Sequence, residues 1–162
     1  RRLQGLILMH SIKDNFVLPM IQLNRLARRK FMVDDQKGNQ LSQHYLEKLK
    51  IRSDSINKIV GLLSGGNQQK VVISKWLCTE PDILLMDEPT AGVDIGTKSE
   101  IIEMIRQLAR EGKGVIFISS ELQELLAVCD RILVIKQGRI EQELNRKEIS
   151  SEERLHQILQ GA

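Results

Sequence analysis

Leu63-Ser64-Gly65-Gly66-Asn67-Gln68-Gln69-Lys70, followed by Ile83-Leu84-Leu85-Met86-Asp87-Glu88, is the stretch whose reading decides the fold. The first segment sets a Ser-Gly-Gly turn where a helix begins; that helix is predicted to run to about Thr79, with Pro81 marking the break. Glycine lacks Cβ, so backbone N–H groups at such a turn can approach a ligand closely. The first N–H groups of a helix have no intrahelical partner, and the positive end of the helix dipole lies beside them. Ser64, Gly65 and Gly66 therefore form a candidate anion site. The dipole alone supplies about 0.3–1 kcal/mol, so hydrogen bonds to the anion must carry most of the binding. An ordinary serine cap on a glycine turn explains the same residues without any ligand.

The second segment reads as a buried strand over Asp82–Met86, continuously apolar as parallel sheets require, ending in two carboxylates. Open α/β sheets bind ligands at the carboxyl ends of their strands. Asp87 suits a Mg²⁺ ion held through its water shell, and Glu88 suits orienting or deprotonating an attacking water. The plainer alternative is a pair of polar strand-end residues. In Pro89-Thr90-Ala91-Gly92-Val93-Asp94, the proline stops the strand and Gly92 allows a tight turn. Asp94 then precedes a helix, either as its cap or as a contact to a partner's nucleotide site.

Outward from this centre the two halves differ. Residues 1 to about 60 lack strand alternation and read as helical: Ser11 caps a helix to Leu18, where Pro19 interrupts it. Asp34–Gln40 reads as a loop with Gly38, and 40–50 as an amphipathic helix carrying Leu41, Tyr45, Leu46 and Leu49. The second half alternates. A helix at 97–111 is expected from a Thr97–Glu100 capping box and Gly112, a strand at Val115–Ser119, and a helix at 121–128 with Ser120 and Gln123 as its capping pair. Strands at Ile132–Ile135 and 139–144 join through Gln137-Gly138, and Ser150 with Glu153 caps a last helix to Leu159. The β-α-β-α-β order implies a parallel sheet. Trp76 and Leu77 are expected in the core.

These motifs, in this order, resemble the ATP-binding cassette family: signature motif at Leu63–Lys70, Walker B at Asp87-Glu88, D-loop at Thr90–Asp94. Asn67, with Lys75-Trp76-Leu77 beyond it, is similar to the ATPase subunits of bacterial sugar importers of the ribose/galactose/arabinose type. Ser119-Ser120-Glu121-Leu122 resembles the second cassette of those proteins, in which the switch histidine is replaced, here by Ser120. The fold this implies is α/β: the carboxyl-terminal half of a P-loop (RecA-like) core with a mostly parallel sheet, plus an α-helical signature subdomain. The expected divisions are 1–79 for the helical subdomain, 80–145 for the core half and 146–162 for a helical tail.

The resemblance further implies ATP and Mg²⁺ as ligands, with Ser64, Gly65, Gly66, Asn67 and Gln68 completing the ATP site of the first cassette in trans. Other implied partners are that first cassette and membrane permease subunits docking over residues 5 to 50, at the cytoplasmic face of the inner membrane. Two motifs are not found. A Walker A loop would read Gly, four residues, Gly-Lys-Ser/Thr; the lookalike Gly92–Ser99 has the wrong spacing and the wrong place. The phosphate loop and the Q-loop are expected upstream of Arg1, so the 162 residues alone are expected to bind nucleotide weakly without turnover. Strands lacking neighbours are expected to favour self-association. Two rival readings are an interaction module without catalysis and a soluble cassette protein acting on DNA or ribosomes.

Composition sets bounds on these readings. With 41% hydrophobic residues the chain can bury a core, and its net charge of +3 is too mild to argue for nucleic acid. The basic cluster Arg25, Arg28, Arg29 and Lys30 reads as a solvated helix face. Cys78 and Cys129, far apart, support neither a zinc site nor a disulfide framework. His10, His44 and His156 show no metal-ligand grouping, and no apolar run approaches the roughly 20 residues that cross a bilayer.

Overall fold

A computed structural model describes residues 5–23, 27–29, 32–149 and 151–161. The chain divides into two compact units. The first comprises the residues up to Asp82 with Gly92–Ile101; the second comprises Ile83–Ala91 and the residues from Ile102 onward.

The first unit is built on three helices: α1 (Ile12–Gln22), α2 (Asp35–Lys48) and α3 (Gly65–Leu77). Ser11 caps α1 through a reciprocal box: its Oγ accepts from Asp14 N–H at 3.0 Å while the Asp14 carboxylate accepts from Ser11 N–H at 3.2 Å. The helix does not stop at Leu18; it runs through Pro19 to Gln22. Proline costs about 3 kcal/mol inside a helix. Ile12, Phe16 and Met20, spaced along one face, are each buried, at roughly 1.5–3 kcal/mol apiece. Burial outweighs the break.

The loop expected over Asp34–Gln40 is instead the start of α2. Asp34 is its cap, accepting from Lys37 N–H at 3.0 Å. Gly38 is there for closeness: a Cβ at this position would lie 3.1 Å from Val17 Cγ2. Helix α1 packs on both α2 and α3, and Tyr45 Oη donates to Leu77 O at 2.8 Å, tying α2 to the end of α3. Of the two residues expected in the core, Leu77 is buried, but Trp76 is 51% exposed. The buried face of α3 runs through Lys70, Ile73, Ser74 and Leu77, and Trp76 lies off it. This half also contains an antiparallel pair, β1 (Ala27–Arg29) with β2 (Met32–Val33), too short to show alternation in the sequence. The side chains of the Arg25–Lys30 cluster lie outside the described residues.

Helix α4 (Ile95–Arg110) follows the Gly92 turn, where φ is +73° as a tight turn requires. It buries Ile101, Ile105 and Leu108 at helical spacing. It ends as expected at Gly112 (φ +88°), with Lys113 N–H reaching back to Leu108 O at 3.1 Å.

In the second unit, β3 (Ile83–Asp87) and β4 (Gly114–Ile118) pair in parallel, Ile83 opposite Gly114 and Asp87 opposite Ile118. The strands were expected to be buried on both faces. Instead Leu84 and Met86 are buried, while Ile83, Leu85, Ile116 and Ile118 are exposed. One face of the pair is covered and the other open. Helix α5 (Leu122–Val128) leads to β5 (Arg131–Lys136) and β6 (Arg139–Asn145). Gln137 (φ +49°) and Gly138 (φ +76°) close the two-residue hairpin turn. The parallel expectation holds for β3 and β4. Strand β5 pairs antiparallel with β6, and no ladder joins it to β4 among the described residues. Its Ile132 anchors a separate cluster with Ile149 and Leu155, packed by Leu122, Leu125 and Leu126 of α5. The last helix, α6 (Glu152–Gly161), is capped one residue later than expected: Ser151 Oγ accepts from Arg154 N–H at 3.3 Å, and Ser150 lies outside the described residues.

Candidate functional site

The predicted site residues fall into two groups, one in each unit. In the first unit, Ser64 occupies the cap position of α3 in extended conformation, yet its side chain makes no capping hydrogen bond. Its Oγ instead accepts from Asn67 Nδ2 at 2.9 Å. Asn67 Oδ1 in turn accepts from Arg52 N–H at 2.9 Å, fixing the turn to the preceding loop. Gln68 Nε2 donates to Leu63 O at 3.0 Å and to Val60 O at 3.4 Å. Both amide side chains therefore hold the backbone rather than reach outward. The first N–H groups of α3 have neither an intrahelical acceptor nor the Ser64 side chain. Ser64 is exposed, Gly65 half-buried and Gly66 buried.

Asp94 lies in the same unit and is exposed. The capping box expected from Thr97 and Glu100 does not form. Helix α4 starts two residues earlier, at Ile95, because Asp94 takes the cap: it accepts from Thr97 N–H at 3.0 Å and from Thr97 Oγ1 at 2.8 Å. These bonds, the backbone one foremost, hold the Asp94 carboxyl below its ordinary 3.8. Glu100, released from the box, meets Lys70 Nζ at 2.6 Å. Lys70 is 4% exposed and also donates to Lys50 O at 3.2 Å. The Lys70 hydrogen bond, then its charge, pulls the Glu100 carboxyl below its ordinary 4.5.

In the second unit, β3 delivers Asp87 to its exposed carboxyl end. Glu88 follows with φ +48°, a left-handed conformation that is unfavourable for a residue with a side chain. Two bonds hold it there: Glu88 N–H donates to Ile118 O at 2.9 Å, and Glu88 Oε1 accepts from Ser120 N–H at 2.7 Å. Ser120 was expected to cap α5. It does not; the cap position is Glu121, without a side-chain bond, and Gln123 pairs with Glu152 instead. Ser120 contributes its backbone N–H, which any residue but proline would supply.

Glu124 carries no signal in the sequence, and Thr90 and Ser119 stand out there only as members of motifs, yet the three brace this strand end. Glu124 is 4% exposed; it accepts from Thr90 Oγ1 and Ser119 Oγ, both at 2.7 Å. Ser119 Oγ also accepts from Glu121 N–H at 3.0 Å. The residues after β3 and those after β4 are thus joined through one buried carboxylate. Among the described residues no three His, Cys, Asp or Glu side chains gather into a metal cage. Mg²⁺ keeps most of its waters and needs only one or two carboxylates beside phosphate oxygens, so exposed Asp87, with half-buried Glu88 beside it, fits it.

An α/β unit with a carboxylate-tipped parallel strand, and a helical unit with a glycine-opened helix, define the class. The chain belongs to the ABC transporter family, whose model matches residues 5–91. It is 47% identical over 94% of its length to the L-arabinose transport ATP-binding protein AraG of Geobacillus stearothermophilus, covering 29% of that protein. It is 46% identical over 94% of its length to the ribose import ATP-binding protein RbsA of Rhodococcus jostii, covering 30% of it. The chain thus spans about a third or less of these relatives. Among solved structures it resembles a dimeric ATP-binding cassette in a post-hydrolysis state bound to ADP and Pi. That match has a TM-score of 0.71 and 25% identity, over 87% of this chain and 59% of that one.

Proposed function

We propose that this chain is part of the ATP-binding and ATP-hydrolysing subunit of a sugar importer, at the cytoplasmic face of the membrane. The observation that carries the reading is the locked Glu88: a carboxylate beside Asp87 at a strand end, held in a strained backbone by the Ser120 amide. A preset carboxylate of this kind orients an attacking water and takes its proton. Asp87 holds Mg²⁺ through water, and the ion, when bound, neutralises charge on the phosphates. The N–H groups opening at Ser64–Gly66 receive a terminal phosphate gripped by the first cassette. Asp94 faces that cassette, and permease subunits take up the motion. The sugar-import names of the relatives support the transport role.

Phosphoryl transfer rests on a phosphate loop and its lysine, and the 162 residues contain no Gly-x4-Gly-Lys-Ser/Thr. Hydrolysis therefore draws that loop from outside these residues. The test is Glu88→Gln in the complete transporter subunit. Glutamine keeps the acceptor for Ser120 N–H but is no base, so ATP binding should persist while turnover falls about 10²–10⁴-fold. Turnover within twofold of the parent would remove Glu88 from the chemistry.

A further inference from the structure

The second glycine of the turn has a neighbour that explains it without any ligand. A Cβ on Gly66 would lie 2.4 Å from Thr97 Cγ2, 2.7 Å from Thr97 Oγ1 and 2.9 Å from Thr97 Cβ. Such distances are far inside contact, and Gly66 is buried, so the first turn of α3 and the first turn of α4 touch with no space for a methyl group. Thr97 is also the residue whose N–H and hydroxyl both bond Asp94. One helical turn further along each helix, buried Lys70 pairs with exposed Glu100, and Arg52 approaches Glu100 at 3.8 Å. Arg52 N–H in turn holds Asn67. All of these residues belong to one compact unit.

We propose that Thr97 is a positioning residue that locks the Ser64–Gly66 turn to Asp94, so that the two move as one body. The inference rests on the reading of that turn as a phosphate site. Its physical content is separate: Gly66 is glycine because Thr97 occupies the space of a side chain. A displacement of Asp94 by a partner surface is carried through the Thr97 hydroxyl and methyl onto the backbone of Gly66, whose N–H lies among the open donors. The Lys70–Glu100 pair prevents the two helices from sliding apart as this happens. Overpacked contacts in a dense interior move the backbone instead of compressing, which is what makes such a seat transmit displacement.

The test is a rescue. In the complete subunit, Gly66→Ala should push Thr97 off the Asp94 cap, and amide exchange at Thr97 should quicken by roughly tenfold or more. Adding Thr97→Gly removes the clashing atoms and leaves a backbone N–H for Asp94, so exchange at position 97 should return to within about threefold of the parent. Unchanged exchange in Gly66→Ala, or no recovery in the double variant, would overturn the seat. Should Gly66→Ala fail to fold, folding itself supplies the second arm: Gly66→Ala/Thr97→Gly, which removes all three clashing atoms, should fold where Gly66→Ala does not; failure of both to fold alike counts against the seat. None of these measurements uses nucleotide, so their failure leaves the phosphate reading standing. ATP hydrolysis by the same variants in the complete subunit then tests that reading separately.

Discussion

The turn at Ser64 and the strand end at Glu88 solve opposite problems. At the turn, side chains hold the backbone: Asn67, Gln68 and Asp94 all bond main-chain groups, and the first amides of α3 are left without a bond from the Ser64 side chain. At the strand end, the backbone holds a side chain: Ser120 N–H grips Glu88 Oε1 while Ile118 O fixes the Glu88 amide. On the reading proposed above, the first presents donors and the second presents an acceptor, each within its own unit.

The comparison breaks most visibly at Ser120. If the backbone is what holds Glu88, Ser120→Pro should remove a charge-assisted bond worth about 1.5–3 kcal/mol, while Ser120→Ala stays within about 0.5 kcal/mol. Chemical denaturation of the two variants measures the gap; equal losses would mean that the hydroxyl matters after all. A smaller effect is expected at Glu124. Glu124→Ala strands the buried hydroxyl of Thr90 and the half-buried one of Ser119 and should cost about 1–3 kcal/mol, read by the same method. No loss would show that the brace is dispensable.

Acid sharpens the other half of the comparison. Asp94 and Glu100 both have carboxyls held below their ordinary values of 3.8 and 4.5 in the folded chain. The sign follows: their stabilisation is complete above those values and is lost as pH falls through the lowered folded ones. The Thr97 amide signal should therefore hold steady from neutral pH to about 5 and shift only below about 4. A shift centred near pH 6 would contradict the assignment. The smallest effect concerns thiols. Cys78 is fully buried, and burial pushes it up to about 12, so alkylation at pH 8 should label the half-buried Cys129 first. Faster labelling of Cys78 would mean that α3 opens at its end.

Much of the fold is legible because it is written locally. Ser11 with Asp14, Gly112 after α4 and Gln137-Gly138 between β5 and β6 each fix a boundary through neighbours a few residues away. Misreadings arise where a distant partner decides. Gly38 looks like a loop residue until Val17 is set against it, and Pro19 like a break until Phe16 and Met20 are seen buried. Thr97 and Glu100 have capping-box spacing, but Lys70 claims the glutamate and Asp94 the cap. The site was legible as residue types: Ser64-Gly65-Gly66 and Asp87-Glu88 stand out in the sequence. What holds them was not, because the Ser120 contribution is a backbone N–H and the Glu88 backbone is left-handed, and neither leaves a mark on residue identity.

The central claim, that backbone donors at Ser64–Gly66 receive a terminal phosphate, is tested most directly by Gly65→Asp in the complete transporter subunit. Gly65 is half-buried at the opening of α3, and on this account the new carboxylate would stand against the phosphate. Steady-state ATP hydrolysis coupled to transport is the readout. The account predicts that it is abolished while the variant remains folded; hydrolysis near the parent rate would contradict it.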